Sequence, residues 1–320
     1  MWDVTVSESI KDSVVEVERL VKRYRNAPRN AVDDVSFAVG AGEFFALLGP
    51  NGAGKSTTVS ILTTTLAPTS GSVRIGGVDV RRNAAAVRRQ IGIIFQNPSL
   101  DMHLSGEENI RLHAVLYRLY PYRPSYRLMP AKYRQQVADI AAVLAMEADL
   151  FRPVGKLSGG MRRKLEIMRA LLHHPRVLFL DEPTTGLDVA SRRSLWAYLA
   201  DIRARNETTI VLTTHSLEEA ESTDRLVILK NGQIVAQGAP NVVKAQFGQE
   251  TLEIDAAERE PLRRELAGRD MHFEGEGPFL VRLDGRSAYE MVRLLDTPLT
   301  VMRMRQASLE DVYLRILASE

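Results

Sequence analysis

The chain has 320 residues, 45% hydrophobic and 26% charged, enough to bury a large core and to hold one main domain with a smaller one. Its 42 basic and 40 acidic residues leave a formal charge of +2, too balanced for a protein whose main partner is nucleic acid. The absence of cysteine excludes a disulfide framework and thiolate metal ligands. The opening MWDVTVSESIKDS has acidic residues and no apolar core, so no secretory signal is expected there. No later run approaches the ~20 apolar residues of a membrane span, so a membrane role would come through a partner.

In chain order, SVVEVERL, DDVSFAV, EFFALLG, GSVRIGGVDV and IGIIFQ are β-branched or aromatic runs broken by Gly, Asn or Asp, which predicts a strand-rich front end. From about 105 to 172 apolar residues recur three and four apart, as in YRQQVADIAAVLAM and RRKLEIMRALL, which predicts helices. RVLFLDE and TTIVLTTH are continuous apolar strands separated by the helical SRRSLWAYLADIRAR, the pattern of a parallel sheet covered on both faces. From Glu250 onward 15 acidic residues face 10 basic ones, a net of −5 that leaves +7 on the rest, and this shift marks a domain boundary. The tail then reads strand TLEID, helix EREPLRREL, strand FLVRL, helix SAYEMVRLL, strand TVMRM and helix SLEDVYLRIL, with Ser308 and Asp311 spaced as a capping box.

The most specific local pattern is FFALLGPNGAGKSTT, which fits G-x-x-x-x-G-K-[ST] at Gly49, Gly54, Lys55 and Ser56 between an apolar strand and a helix. Glycines let backbone N–H groups converge on phosphate oxygens, the helix N-terminus adds partial positive charge, and Lys55 can reach terminal phosphates. The Ser56 hydroxyl suits Mg²⁺. Without that strand and helix the same letters would read as a glycine-rich turn. In VLFLDEPTTGLD an apolar strand delivers Asp181 to its carboxyl end, where open α/β sheets bind ligands. Asp181 can serve the metal shell, and the adjacent Glu182 can polarise an attacking water. In KLSGGMRRK, Ser158 can cap the helix that follows, but a cap does not require Gly159 and Gly160 after it. Bare N–H groups at a helix start suit an anion.

These motifs together resemble the ATP-hydrolysing subunit of an ABC transporter over about residues 14–245. They run in order: Walker A GPNGAGKST, a Q-loop glutamine in IIFQNP, the signature LSGGM, Walker B VLFLDEP, a D-loop GLD and a switch histidine in TTHS. The resemblance implies a P-loop NTPase (RecA-like) α/β core with an antiparallel β subdomain and a helical subdomain at about 97–172. An extension at 1–13 would precede it, and a small C-terminal α+β domain at 246–320 would follow. ATP and Mg²⁺ are the implied cofactors. Gly49, Pro50, Asn51, Gly52, Ala53, Gly54, Lys55, Ser56 and Thr57 would hold the phosphates, Tyr24 the adenine, and Ser56, Gln96 and Asp181 the Mg²⁺, partly through water. Glu182, His215 and Lys55 would be catalytic; Asp181, Gln96 and His215 would belong to the ATP site, with His215 at the γ-phosphate.

The signature residues Leu157, Ser158, Gly159, Gly160 and Met161, with Asp188 of the D-loop, would face the nucleotide of a second ATPase subunit in a head-to-tail dimer, homodimeric by expectation with a heterodimer as the alternative. Met161 departs from the family's usual glutamine, so any hydrogen bond of that side chain is lost. Read alone, His215 and Gln96 are ordinary strand ends and Tyr24 could equally be a packing residue. The implied partner is a transmembrane permease at the cytoplasmic face of the membrane, with no nucleic acid. The tail resembles that of daunorubicin-type drug-resistance exporters, SLEDVYL above all, which favours export over import. A non-transport ABC ATPase would carry two cassettes or a long coiled coil, and a kinase or GTPase would lack LSGGM. Between Arg111 and Arg134 six basic residues interleave with Tyr117, Tyr120, Tyr122, Tyr126 and Tyr133 without an acidic one. That stretch reads either as a solvated loop or as a surface turned to anionic lipid of the inner leaflet.

Overall fold

A computed structural model describes residues 13–318 other than 96–98, 186, 207, 249 and 270. Residues 1–12 of the expected extension, and Gln96, lie outside the described residues. Burial along β2 (Val32–Gly40) follows from the period-2 pattern of its sequence, while β1 (Ser13–Lys22) buries Val14, Val15, Val17 and Leu20 across shifts in register. They pair antiparallel, and β1 also pairs antiparallel with β4 (Ser70–Ile75), which pairs with β5 (Val78–Asp79). Between β2 and β4 come β3 (Phe44–Leu48) and α1 (Lys55–Leu62); after β5 come α2 (Ala84–Gln90) and β6 (Ile91–Ile94).

A second sheet has the order β10-β9-β3-β8-β7-β6, formed with β7 (Val177–Asp181), β8 (Thr209–Thr214), β9 (Arg225–Lys230) and β10 (Gln233–Gly238). Its β3–β8, β3–β9, β7–β8 and β6–β7 ladders are parallel, as the continuous apolar runs predict. α6 (Val189–Asn206) crosses from β7 to β8, and α7 (Leu217–Glu221) follows β8. No element is expected above for RLVILKNGQIVAQG, yet it forms β9 and β10 around Asn231 (φ 52°) and Gly232 (φ 84°). That Asn-Gly pair is a turn signal in its own right. The two sheets share one apolar core, with Phe37 of β2 stacked on Phe45 of β3 at 5.3 Å.

The helical insertion leaves the sheet after β6 and returns at the neighbouring β7. It comprises α3 (Gly106–Leu116), α4 (Ala131–Leu144) and α5 (Gly159–Leu171). A capping box between Ser105 and Glu108 opens α3. The tyrosines of this insertion mostly turn inward. Tyr133 is fully buried and donates to Glu107, whose carboxylate also pairs with Arg111 at 3.2 Å, and Arg111 in turn donates to Arg123 O. Tyr120 and Tyr126 pack edge-on against Tyr133, while Tyr117 packs against His113 and His173. Of the five, Tyr122 alone is exposed. The aromatic spacing therefore serves packing of the insertion.

The chain divides into units Met1–Ala236 and Gln237–Glu320; the boundary expected at 245/246 falls within α8 (Pro240–Phe247). In the second unit β11 (Thr251–Ala256), β12 (Phe273–Glu274), β13 (Phe279–Arg282) and β14 (Leu299–Arg305) form an antiparallel sheet of order β12-β13-β11-β14. α9 (Arg259–Gly268) and α10 (Ala288–Arg293) lie between these strands in sequence, and Leu262, Leu266 and Met291 pack with Leu252, Ile254 and Phe279 in one core. Ser308 and Asp311 exchange capping hydrogen bonds at the start of α11 (Leu309–Ala318).

Candidate functional site

The carboxyl ends of β3, β8 and β7 lie side by side, with Leu48 opposite Thr214 and Thr213 opposite Asp181. From β3 the chain enters loop 49–54 and then α1. Two glycines are demanded by close approach: a Cβ on Gly49 would stand 2.5 Å from Leu229 O, and one on Gly54, at φ +104°, 2.5 Å from Ala31 O. Gly54 is also the N-cap of α1, which has no side-chain cap, so the first turn keeps its N–H groups for an anion. Lys55 is 5% exposed, and its Nζ donates to Gly49 O at 2.6 Å and Pro50 O at 3.1 Å. Burial lowers its pKa, and the charges of Glu182 and Asp181 oppose that shift.

Residues 50–57 line a cavity of about 710 Å³ together with Ala31, Glu182 and His215. Asp181 ends β7, and Thr213 Oγ1 donates to its Oδ1 at 2.5 Å. Glu182 follows at φ 46°, a left-handed conformation uncommon outside glycine that surrounding bonds must hold. Its N–H reaches Thr213 O at 3.2 Å and Thr213 Oγ1 at 3.1 Å, and Thr185 Oγ1 lies 3.4 Å from its Oε2. Glu182 Oε1 stands 3.4 Å from Nδ1 of His215, whose side chain is 61% exposed. The arrangement gathers the N–H groups of the loop and first helical turn, one cation, the Glu182 carboxylate and an imidazole around a single cavity, with Asp181 next to Glu182 at the end of β7. Such a set binds a polyphosphate and activates water beside it.

Tyr24, half exposed, sits beside the same loop, its hydroxyl 3.3 Å from Thr57 Oγ1. The signature residues stand apart: 157–161 are not among those lining the cavity. Ser158 is the N-cap of α5 and accepts from Met161 N at 3.2 Å, so the capping role read from sequence is present. Leu157 is buried, whereas nothing lies within 4 Å of where a Cβ on Gly159 would be. Packing within this chain therefore does not require glycine at 159. Asp188 is exposed just ahead of α6.

Three contributors escape the sequence patterns. Thr213 reads as a strand residue but fixes both Asp181 and Glu182. Glu219 sits three residues after Ser216, a spacing that suggests a cap, yet its buried carboxylate accepts from Thr214 at 2.6 Å and from Thr184. It thus joins the loop after Glu182 to the end of β8 beside His215. Arg163, an ordinary helix residue by sequence, donates to Pro183 O at 3.0 Å from within the core.

The family profile described as ABC transporter matches residues 32–185. The Nod factor export ATP-binding protein I of Paraburkholderia xenovorans (strain LB400) is 35% identical over 313 residues, covering 97% of this chain and 98% of its own. The chain belongs to the ABC transporter family. The protein of the same name from Rhizobium johnstonii is 34% identical, covering 98% of each chain. Among solved structures, the ATP-binding subunit of an ABC transporter superposes with a TM-score of 0.64 at 33% identity, covering 74% of this chain and 94% of that one. A dimeric ATP-binding cassette in a post-hydrolysis state with ADP and Pi gives 0.63 at 26%, covering 70% and 98%. This ABC ATPase thus has the cassette fold, and its curated relatives share both units. Among the described residues no helix is long and apolar enough to cross a membrane.

Proposed function

We propose that the chain powers export across a membrane as the ATPase subunit of a transporter, bound to a separate permease at the cytoplasmic face and working as a dimer, a homodimer in the simplest case. The observation that carries the ATPase part is the cavity where residues 50–57 meet Glu182 and His215, with Asp181 beside Glu182 at the end of β7. Export is supported by relatives named for it whose likeness runs through the C-terminal unit, which acts here as an accessory domain. The 246–320 segment belongs to that domain.

Residues 49–57 would cradle the phosphates, with Lys55 swinging from its carbonyl partners to the terminal ones and Tyr24 stacking on the adenine. Ser56 and Asp181 would hold Mg²⁺, with Gln96 expected beside them. Among the described residues no group of three His, Cys, Asp or Glu could hold a metal alone. Hard oxygen donors from one carboxylate and one hydroxyl fit Mg²⁺, which keeps water and phosphate as its other ligands. When bound, the ion neutralises charge developing on the phosphates. Glu182 then accepts the proton of the attacking water, and His215 orients that water against the γ-phosphate. Residues 157–160, with Asp188, complete the site of the second subunit.

Lys55→Ala tests the cradle by equilibrium titration. Loss of the cation facing the terminal phosphates is expected to weaken ATP affinity by about tenfold or more, with thermal stability held. Unchanged affinity in a folded variant would remove the cradle reading. For coupling, hydrolysis by the chain is expected to rise when it is reconstituted with its permease in vesicles.

A further inference from the structure

The face of α5 that carries Arg163, Glu166 and Arg169 forms a charged ladder against the parallel sheet. Arg163, 7% exposed, spreads its guanidinium over backbone where β6 and β7 end. Nε donates to Pro183 O at 3.0 Å and Nη1 to Phe95 O at 2.5 Å, while Nη2 lies 3.4 Å from Asp181 O and 3.5 Å from Glu182 O. Nη1 also pairs with Glu166 at 3.0 Å, and Glu166, 1% exposed, accepts from Ser99 N at 3.1 Å. Arg169 donates to Ser99 O at 2.7 Å. The planar five-donor fork of arginine reaches carbonyls spread over the Phe95 and 181–183 backbone while still pairing with Glu166; a lysine ammonium, with three donors on one atom, cannot span that set. A buried ion pair is a poor source of stability in itself, so this one invites another explanation.

We infer that Arg163 is a positioning residue that couples the signature helix to the catalytic loop, so that seating of Ser158 to Gly160 on a neighbour's nucleotide is transmitted to Glu182 of the same chain. This rests on the shared-site reading above. Arg163 stands five residues beyond Ser158 on one rigid helix, about 7.5 Å along its axis. At its far end the clamp grips the three successive carbonyls 181–183 that bracket Glu182, and Glu182 occupies a backbone conformation that must be held from outside. A shift of the helix on docking therefore moves the carboxylate, and a chain without a docked neighbour leaves it unaligned.

Two full-length variants test this. Arg163→Lys keeps the charge beside Glu166 but cannot span the carbonyls. Arg163→Gln with Glu166→Gln removes both charges together, which avoids stranding a buried carboxylate. Both are expected to keep ATP affinity within about twofold and, on a Glu182→Gln background, ATP-dependent dimer formation within about threefold, while kcat per folded molecule falls about tenfold or more. A merely structural Arg163 would lower melting temperature and leave kcat per folded molecule unchanged. Such a result in both variants overturns the inference, as does loss of dimer formation, which would place Arg163 in docking itself. The underlying reading has its own control in Ser158→Arg. If that variant dimerises and hydrolyses normally, the shared site is wrong. If it fails to dimerise while the Arg163 variants turn over normally, the shared site stands and the coupling does not.

Discussion

Glu182→Gln is expected to bind ATP with near-normal affinity and to lose turnover by about two to four orders of magnitude, the range that a general base contributes. Glutamine keeps the shape and can still face His215 and Thr185, so the fold and the left-handed backbone at 182 have no reason to change. What it loses is the capacity to accept a proton from water held 3 Å or so from the γ-phosphate. The carboxylate is largely enclosed, its Oε1 3.4 Å from His215 Nδ1, and among the described residues no other carboxylate lines the cavity. Asp181 accepts from Thr213 at 2.5 Å and, in the proposed function, would serve the metal. Phosphate release measured on the full chain at saturating ATP checks this. Turnover within about twofold of the parent would move the base to another residue.

What the sequence made legible was whatever the chain keeps contiguous. The phosphate loop, the 181–182 carboxylates and the capped helix at Ser158 are each specified by neighbours within a few residues, because backbone conformation and capping are local. The parallel sheet was legible for a related reason: strands buried on both faces must be apolar throughout, as RVLFLDE and TTIVLTTH are. Residues that hold the site together were not legible, since their partners are distant in sequence. Thr213 meets Asp181 across 32 residues, Arg163 meets Pro183 across 20, and Glu219 meets Thr184 across 35. Alternation of Tyr and Arg in 117–134 could not tell burial from exposure, because a tyrosine has an apolar body and a polar tip. Only three-dimensional packing around Tyr133 decides it.

The second large effect concerns Ser158. Ser158→Arg is expected to leave each chain folded and able to bind ATP, because the phosphate loop and its cavity do not include residues 157–161. The loss of the cap should cost about 1 kcal/mol, seen as a small drop in melting temperature. Hydrolysis, however, is expected to fall by about a hundredfold or more, since a long cationic side chain would fill the space that a neighbour's γ-phosphate must enter. A capping role alone predicts the stability loss without the catalytic one. The open space over Gly159 is what separates the two explanations, because among the described residues nothing lies within 4 Å of where its Cβ would be.

The most direct measurement is light scattering of the Glu182→Gln chain with Mg²⁺ and ATP, alone and carrying Ser158→Arg, with ATP affinity and melting temperature taken on the same samples. ATP is expected to convert Glu182→Gln from monomer to dimer, and the added Ser158→Arg is expected to keep it monomeric with ATP affinity within about twofold. Dimer formation by the double variant at the same ATP concentration, together with ordinary hydrolysis by Ser158→Arg alone, would contradict the shared site.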